Sequence, residues 1–130
     1  MKTKYTVALS LLAGVAIGAV AVQGLHAQAA KLKAYSVSEL EVKGTPTTES
    51  GYFSEVRKAI KDHHGTALKT TAGRVFKVEG AEPPKNVAIV EWESADDALG
   101  FYKSEVWNSM KGERDKIYTT IRRYVVEIEK

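Results

Sequence analysis

Residues 86–93 read Asn-Val-Ala-Ile-Val-Glu-Trp-Glu, and this stretch constrains the fold more than any other. In a strand, Val87, Ile89 and Glu91 would lie on one side and Ala88, Val90 and Trp92 on the other. Neither side is polar until Glu91. A strand that is apolar on both sides must be central in its sheet, and both faces of that sheet must be covered.

Around this strand the chain supplies elements of both kinds. Residues 34–42 alternate imperfectly, with Tyr35 and Val37 out of step with Leu40 and Val42, which predicts a strand with a bulge between Val37 and Leu40. Gly44-Thr45-Pro46 turns the chain. Residues 47–64 read as a helix, with Thr47, Thr48 and Ser50 as capping candidates, Phe53, Val56 and Ile60 as the apolar stripe, and Gly65 as the left-handed stop. Residues 66–71 and 75–79 are two short extended runs, and Pro83-Pro84 marks a surface loop.

After the central strand, Ser94-Ala95-Asp96-Asp97 resembles a capping box with Asp at N3. A helix follows over residues 95–103, with Ala98, Phe101 and Tyr102 inward. Ser104 should break it before a second helical stretch over 105–116, with Val106, Trp107 and Met110 inward. Residues 121–128 form a last strand in which Tyr124 and Val126 alternate with Val125 and Glu127. The order β-α-β-(β)-β-α-β is that of an α+β, ferredoxin-like sandwich, an antiparallel sheet with its helices on one face. The other face needs cover, and a second copy of the same sheet is the simplest source, so a homodimer is expected.

The first 29 residues are set apart from this domain. Lys2 and Lys4 precede an uncharged run of apolar and small residues over 5–22, and Ala27-Gln28-Ala29 offers an A-x-A cleavage site. That order is a secretory signal peptide, with residues 30–130 as the mature domain. A retained membrane anchor is the alternative, but the run is rich in Ala and Gly and only about 18 residues long, the minimum for a span. A periplasmic destination follows, with membrane contact only through the transient signal. The net charge of +3, less Lys2 and Lys4, falls to about +1 in the mature chain, and its acidic and basic residues are interleaved. No nucleic-acid partner is expected of such a surface. The absence of cysteine removes disulfides, thiolate metal sites and a cysteine nucleophile.

The run Val87-Ala88-Ile89-Val90-Glu91-Trp92-Glu93-Ser94, then Ala98, Phe101-Tyr102-Lys103-Ser104 and Arg114, resembles the domain-of-unknown-function 1330 family (DUF1330). Ala34-Tyr35, His64-Gly65, Glu79-Gly80, Pro83-Pro84-Lys85 and Tyr124-Val125-Val126-Glu127 extend the resemblance over essentially the whole mature chain. It implies a dimeric α/β-barrel, two ferredoxin-like protomers packed sheet to sheet, and almost no chemistry. Two departures stand out: His64-Gly65 replaces the usual Gly-Gly after the first helix, and Glu105 stands where proline often follows the serine.

No GxSxG, HExxH, phosphate-loop or dinucleotide pattern occurs, and no cofactor is expected. Six residues are candidates for ligand binding. His64, beside His63, could titrate or bind metal. Adjacent helical histidines point about 100° apart, however, so no metal site is expected and an exposed helix end is the plainer reading. Arg114 could fork onto a carboxylate, or fasten helix to sheet by pairing with Glu91. Glu91 could serve as a general base if burial raised its pKa, or be a half-exposed paired acid. Tyr102 and Trp107, with Trp92 and Phe101, could line a pocket for a flat apolar ligand or simply fill core and interface. The expected cleft lies between sheet and helices, lined by Tyr35, Glu91, Tyr102, Trp107 and Arg114. The leading expectation is a dimeric protein binding a small apolar or carboxylate-bearing molecule. The alternatives are a cofactor-free enzyme resembling the monooxygenases and isomerases of the dimeric α/β-barrel group, and a structural interaction module.

Overall fold

A bulged strand, β1 (Ala34–Val42), opens the domain and becomes its spine. The computed structural model describes residues 31–43, 51–70 and 73–129. The expected signal peptide, the turn at Gly44-Thr45-Pro46 and the capping candidates Thr47, Thr48 and Ser50 lie outside the described residues. Residues Leu32–Lys130 form one compact unit. Among the described residues, no helix is long and apolar enough to cross a membrane.

Helix α1 (Tyr52–Asp62) follows, then β2 (Gly65–Ala67), β3 (Asn86–Trp92), three short helices α2 (Ala95–Lys103), α3 (Glu105–Ser109) and α4 (Lys111–Ile117), and β4 (Tyr118–Glu127). The sheet order is β2-β3-β1-β4 and every neighbouring pair is antiparallel. This is the ferredoxin-like α+β arrangement, with the helices on one face. The apolar strand β3 is internal, as its two apolar sides require. The bulge falls between Glu39 and Leu40, where β1 shifts register against β4.

Alternation along β1 and β3 sorts the side chains. Ala34, Ser36 and Ser38 on β1 and Val90 and Trp92 on β3 are buried beneath the helices. The core joins them to Tyr52, Ala59 and Ile60 of α1, Ala98 and Phe101 of α2, Trp107 of α3 and Met110. Tyr35, Val37, Val87, Ile89 and Glu91 alternate with these and face the other way. Opposite residues in an antiparallel pair share a face, so Tyr124 joins Val37 and Val126 joins Tyr35 on that open side.

Local chemistry sets the helix ends. Ser94 caps α2 by accepting the Asp97 N–H, and the Ser94 hydroxyl donates to the Asp97 carboxylate at 2.6 Å. Ser104 then breaks the helix with an extended backbone and caps α3 by accepting from the Trp107 N–H at 3.2 Å. The second helical stretch is further divided at Met110.

Four expectations are corrected. At the end of α1 the left-handed position is taken by His64, with φ of 61°, and not by Gly65. Gly65 serves closeness instead, since a Cβ there would come within 2.7 Å of both Ile60 and Trp92. Residues 75–79 form no strand, and Phe76 and Val78 are exposed. Val106 points outward, half exposed, while its neighbour Trp107 is buried. Strand β4 begins at Tyr118, three residues earlier than its apolar alternation suggests.

Candidate functional site

The helix side of the sheet carries a floor of serines, and large polar-tipped side chains rest on it. Ser36 Oγ accepts from Trp92 Nε1 at 2.9 Å and from the Tyr102 hydroxyl at 2.9 Å. Ser38 Oγ accepts from Arg123 Nε at 2.7 Å. A larger residue at either position would fill the space that these partners need.

Over this floor, Tyr102 of α2 and Trp107 of α3 meet edge to face, their ring centres 5.2 Å apart. Two guanidinium groups flank the indole. The Arg114 guanidinium carbon lies 3.8 Å from the Trp107 ring centre and that of Arg123 lies 4.8 Å away. Arg123 also lies 5.4 Å from the Tyr102 ring centre. Contacts of this kind favour a cation over an aromatic face. Arg114 is buried and donates from Nη1 to the Trp107 carbonyl at 3.1 Å.

Between α2, α3 and β4 lies an open groove of about 570 Å³, lined by Ala95, Leu99, Tyr102, Trp107, Arg123, Tyr124, Val125 and Glu127. Its walls are aliphatic, its floor aromatic, and Arg123 is its cation. Glu127 is four residues along the strand from Arg123, roughly 13 Å away at the other end. Among the described residues, no carboxylate forms an ion pair with Arg114 or Arg123. Burial pulls the Arg123 pKa below its ordinary value, and the neighbouring Arg114 charge pushes the same way. Asp115 senses the Arg114 charge but is held chiefly by Lys111.

The six candidates fall into three places. Tyr102, Trp107 and Arg114 come together as described, with Tyr102 and Trp107 lining the groove and Arg114 behind the indole. Tyr35 and Glu91 do not join them. They are directly opposed on β1 and β3 and lie on the open face, where the Tyr35 hydroxyl donates to Glu91 at 2.6 Å and Lys33 donates at 2.9 Å. The expected single cleft is therefore two surfaces separated by the sheet, and Arg114 does not pair with Glu91. Nor is Glu91 a carboxyl raised by burial. The Tyr35 hydrogen bond and the Lys33 ammonium hold its pKa below the ordinary 4.5.

His64 occupies a third position, at the turn into β2. It is exposed, and its Nδ1 lies 3.1 Å from the Asp97 carboxylate at the start of α2. His63 instead packs edge-on against Phe101, with ring centres 5.7 Å apart. Among the described residues, no group of three or more His, Asp or Glu side chains could hold a metal.

Arg123 is the groove residue that sequence reasoning missed. The signal was present: Arg123 shares its parity with Val125, so it lies on the inward side of a strand whose other arginine, Arg122, lies outward. A charged residue in a terminal strand reads as solvated unless that parity is followed.

An antiparallel four-stranded sheet with helices on one face defines a ferredoxin-like domain. The chain belongs to the family described as "Domain of unknown function (DUF1330)", which it matches over residues 33–127. Among solved structures it is similar to RPA0582, a protein of unknown function from Rhodopseudomonas palustris, at 11% identity and a TM-score of 0.53, covering 85% of this chain and 91% of that one. It is also similar to SnoaB, a cofactor-independent oxygenase from Streptomyces nogalater, at 12% identity and a TM-score of 0.47, covering 76% of this chain and 95% of that one. At these identities the likeness speaks to fold alone. Comparison with curated proteins returns no match.

Proposed function

We propose that the mature chain is an exported small-molecule-binding protein that works as a homodimer, with its ligand in the groove between α2, α3 and β4. The observation that carries this reading is the groove itself: aliphatic walls, an aromatic floor fixed by Ser36, and one convergent cation, at a volume in the ordinary range for small-ligand sites. The Tyr102 ring is fixed through its hydroxyl by Ser36, and Ser104 fixes the backbone that carries Trp107 by capping α3. Such preorganisation lowers the ordering cost of binding.

The homodimer rests on the open sheet face. Val37, Val87 and Ile89 lie there beside Tyr124 and Val126, which are 41% and 43% exposed. An apolar face of this kind marks an interaction surface. The occupant is a second copy, because the near-neutral mature chain does not repel itself and a matching apolar sheet is the best complement. Export rests on the N-terminal charge, apolar run and A-x-A site, and the family match begins at residue 33, beyond the proposed cut. Intact mass of protein from its native source would then begin near Ala30, and a mass including residues 1–29 would refute export with cleavage.

The enzyme alternative draws no support from Glu91, whose carboxyl is held ionised on the other side of the sheet. The binding reading is tested by titrating the mature protein with aromatic compounds of one to three rings while following its amide NMR signals. Shifts confined to the surroundings of Leu99, Tyr102, Trp107 and Val125 support it. Shifts elsewhere, or none, refute it.

A further inference from the structure

Strand β4 carries two adjacent arginines, and alternation sends them to opposite faces. On the open face, Arg122 is neutralised by Glu39 at 2.8 Å. On the helix face, Arg123 has no such partner among the described residues. Among the described residues, its one hydrogen bond to another side chain runs from Nε to Ser38.

A guanidinium carries five N–H donors in a planar fork. With Nε committed to Ser38, the terminal nitrogens of Arg123 serve the open groove that the residue lines; among the described residues no buried side-chain nitrogen lacks a partner, so solvent reaches these donors and a ligand can replace it. Arg123 is only partly buried, but among the described residues it has no counter-charge, and Arg114 adds a second positive charge against the same indole. Tyr102 and Trp107 offset part of this through their ring faces. Neither supplies an acceptor for the fork. An anion of carboxylate shape, carried on an apolar body that fits the aliphatic and aromatic walls, complements this cation and its surroundings.

We infer that the natural ligand of the groove is an aromatic or similarly flat carboxylic acid, its carboxylate forked onto Arg123 and its apolar body over Tyr102 and Trp107. This rests on the groove reading and narrows it to a chemical class. Ser38 fixes the orientation of the fork through Nε, so Ser38 is a positioning residue. Arg114 strengthens the positive field from behind the indole. Glu127, at the far end of the groove, disfavours a second carboxylate there and so favours monoacids over diacids.

The test uses 2-naphthoate and its uncharged counterpart 2-naphthamide, titrated into the mature protein by calorimetry with amide NMR mapping. The acid is expected to bind at least about tenfold more tightly than the amide. Arg123→Gln is expected to bring the acid-to-amide affinity ratio down to about one. Arg123→Lys should retain part of the preference, and Arg122→Gln should retain all of it. Equal affinity for acid and amide, with shifts in the groove, would overturn the carboxylate assignment while the groove reading stood. Failure of both to bind would overturn the groove reading and this inference together. If Arg123→Gln does not fold, the acid-to-amide ratio on the unaltered protein decides alone.

Discussion

The two faces of the sheet solve opposite problems with the same strands. On the helix face, β1 presents Ala34, Ser36 and Ser38, all small and all buried. Their smallness lets Trp92, Tyr102 and Arg123 reach in, and their hydroxyls satisfy these large neighbours. On the open face the same strand presents Tyr35 and Val37, flanked by Ile89, Tyr124 and Val126, with nothing from this chain above them among the described residues. One face is covered by the helices of the same protomer and carries a groove. The other is apolar and unfinished. A residue's worth therefore depends on its parity: inward substitutions should act on folding, outward ones on assembly.

The sharpest separation comes from Trp92. It is fully buried, stacks with Phe101 at 5.1 Å and packs against Gly65. Trp92→Ala should cost about 3–5 kcal/mol of folding stability, read from urea unfolding, because the emptied space cannot collapse onto a three-residue edge strand. On the opposite face, Val37→Asp should leave the protomer folded but weaken self-association by roughly a hundredfold or more. Sedimentation equilibrium would show it. Loss of protomer folding without a change in assembly would remove the distinction between the faces.

A smaller effect is expected at Ser36. Ser36→Ala leaves the Trp92 indole N–H buried without its acceptor and frees the Tyr102 hydroxyl, at about 1–3 kcal/mol. Unfolding measurements check the stability loss, and a ligand titration should show Tyr102 less well fixed. The mildest effect lies in the Lys33–Glu91–Tyr35 cluster. Because the folded Glu91 pKa lies below its ordinary 4.5, its stabilising contribution is present above that value and is lost as pH falls through the folded pKa. The stability difference between wild type and Glu91→Gln should therefore shrink on acidification from pH 6 to pH 3. A difference that grew would mean a raised pKa and a different role for this carboxyl.

Much of the fold was legible because each signal had a local mechanism. The two-sided apolarity of β3, the Ser94 cap, the Ser104 break and the bulge in β1 all follow from side-chain spacing or from hydrogen bonds within a few residues. What escaped depended on tertiary closeness. Gly65 looks like a helix stop, yet the approach of Trp92 requires it, and His64 takes the left-handed turn instead. Residues 75–79 have the composition of a strand, yet they pair with no strand of the described sheet. The candidate site was half legible. Tyr102, Trp107 and Arg114 came together because their helices share a face. Tyr35 and Glu91 lie across the sheet because their parity is out of step with Ser36 and Trp92, a distinction that only the strand register makes visible. Arg123 was overlooked for the same reason.

The most direct test of the account is native mass spectrometry on the mature protein purified from its own source. The expected result is a dimer of chains beginning near Ala30, carrying a small organic acid that is lost in Arg123→Gln. A monomer of bare chains, unchanged by that substitution, would contradict both the completed open face and the occupied groove.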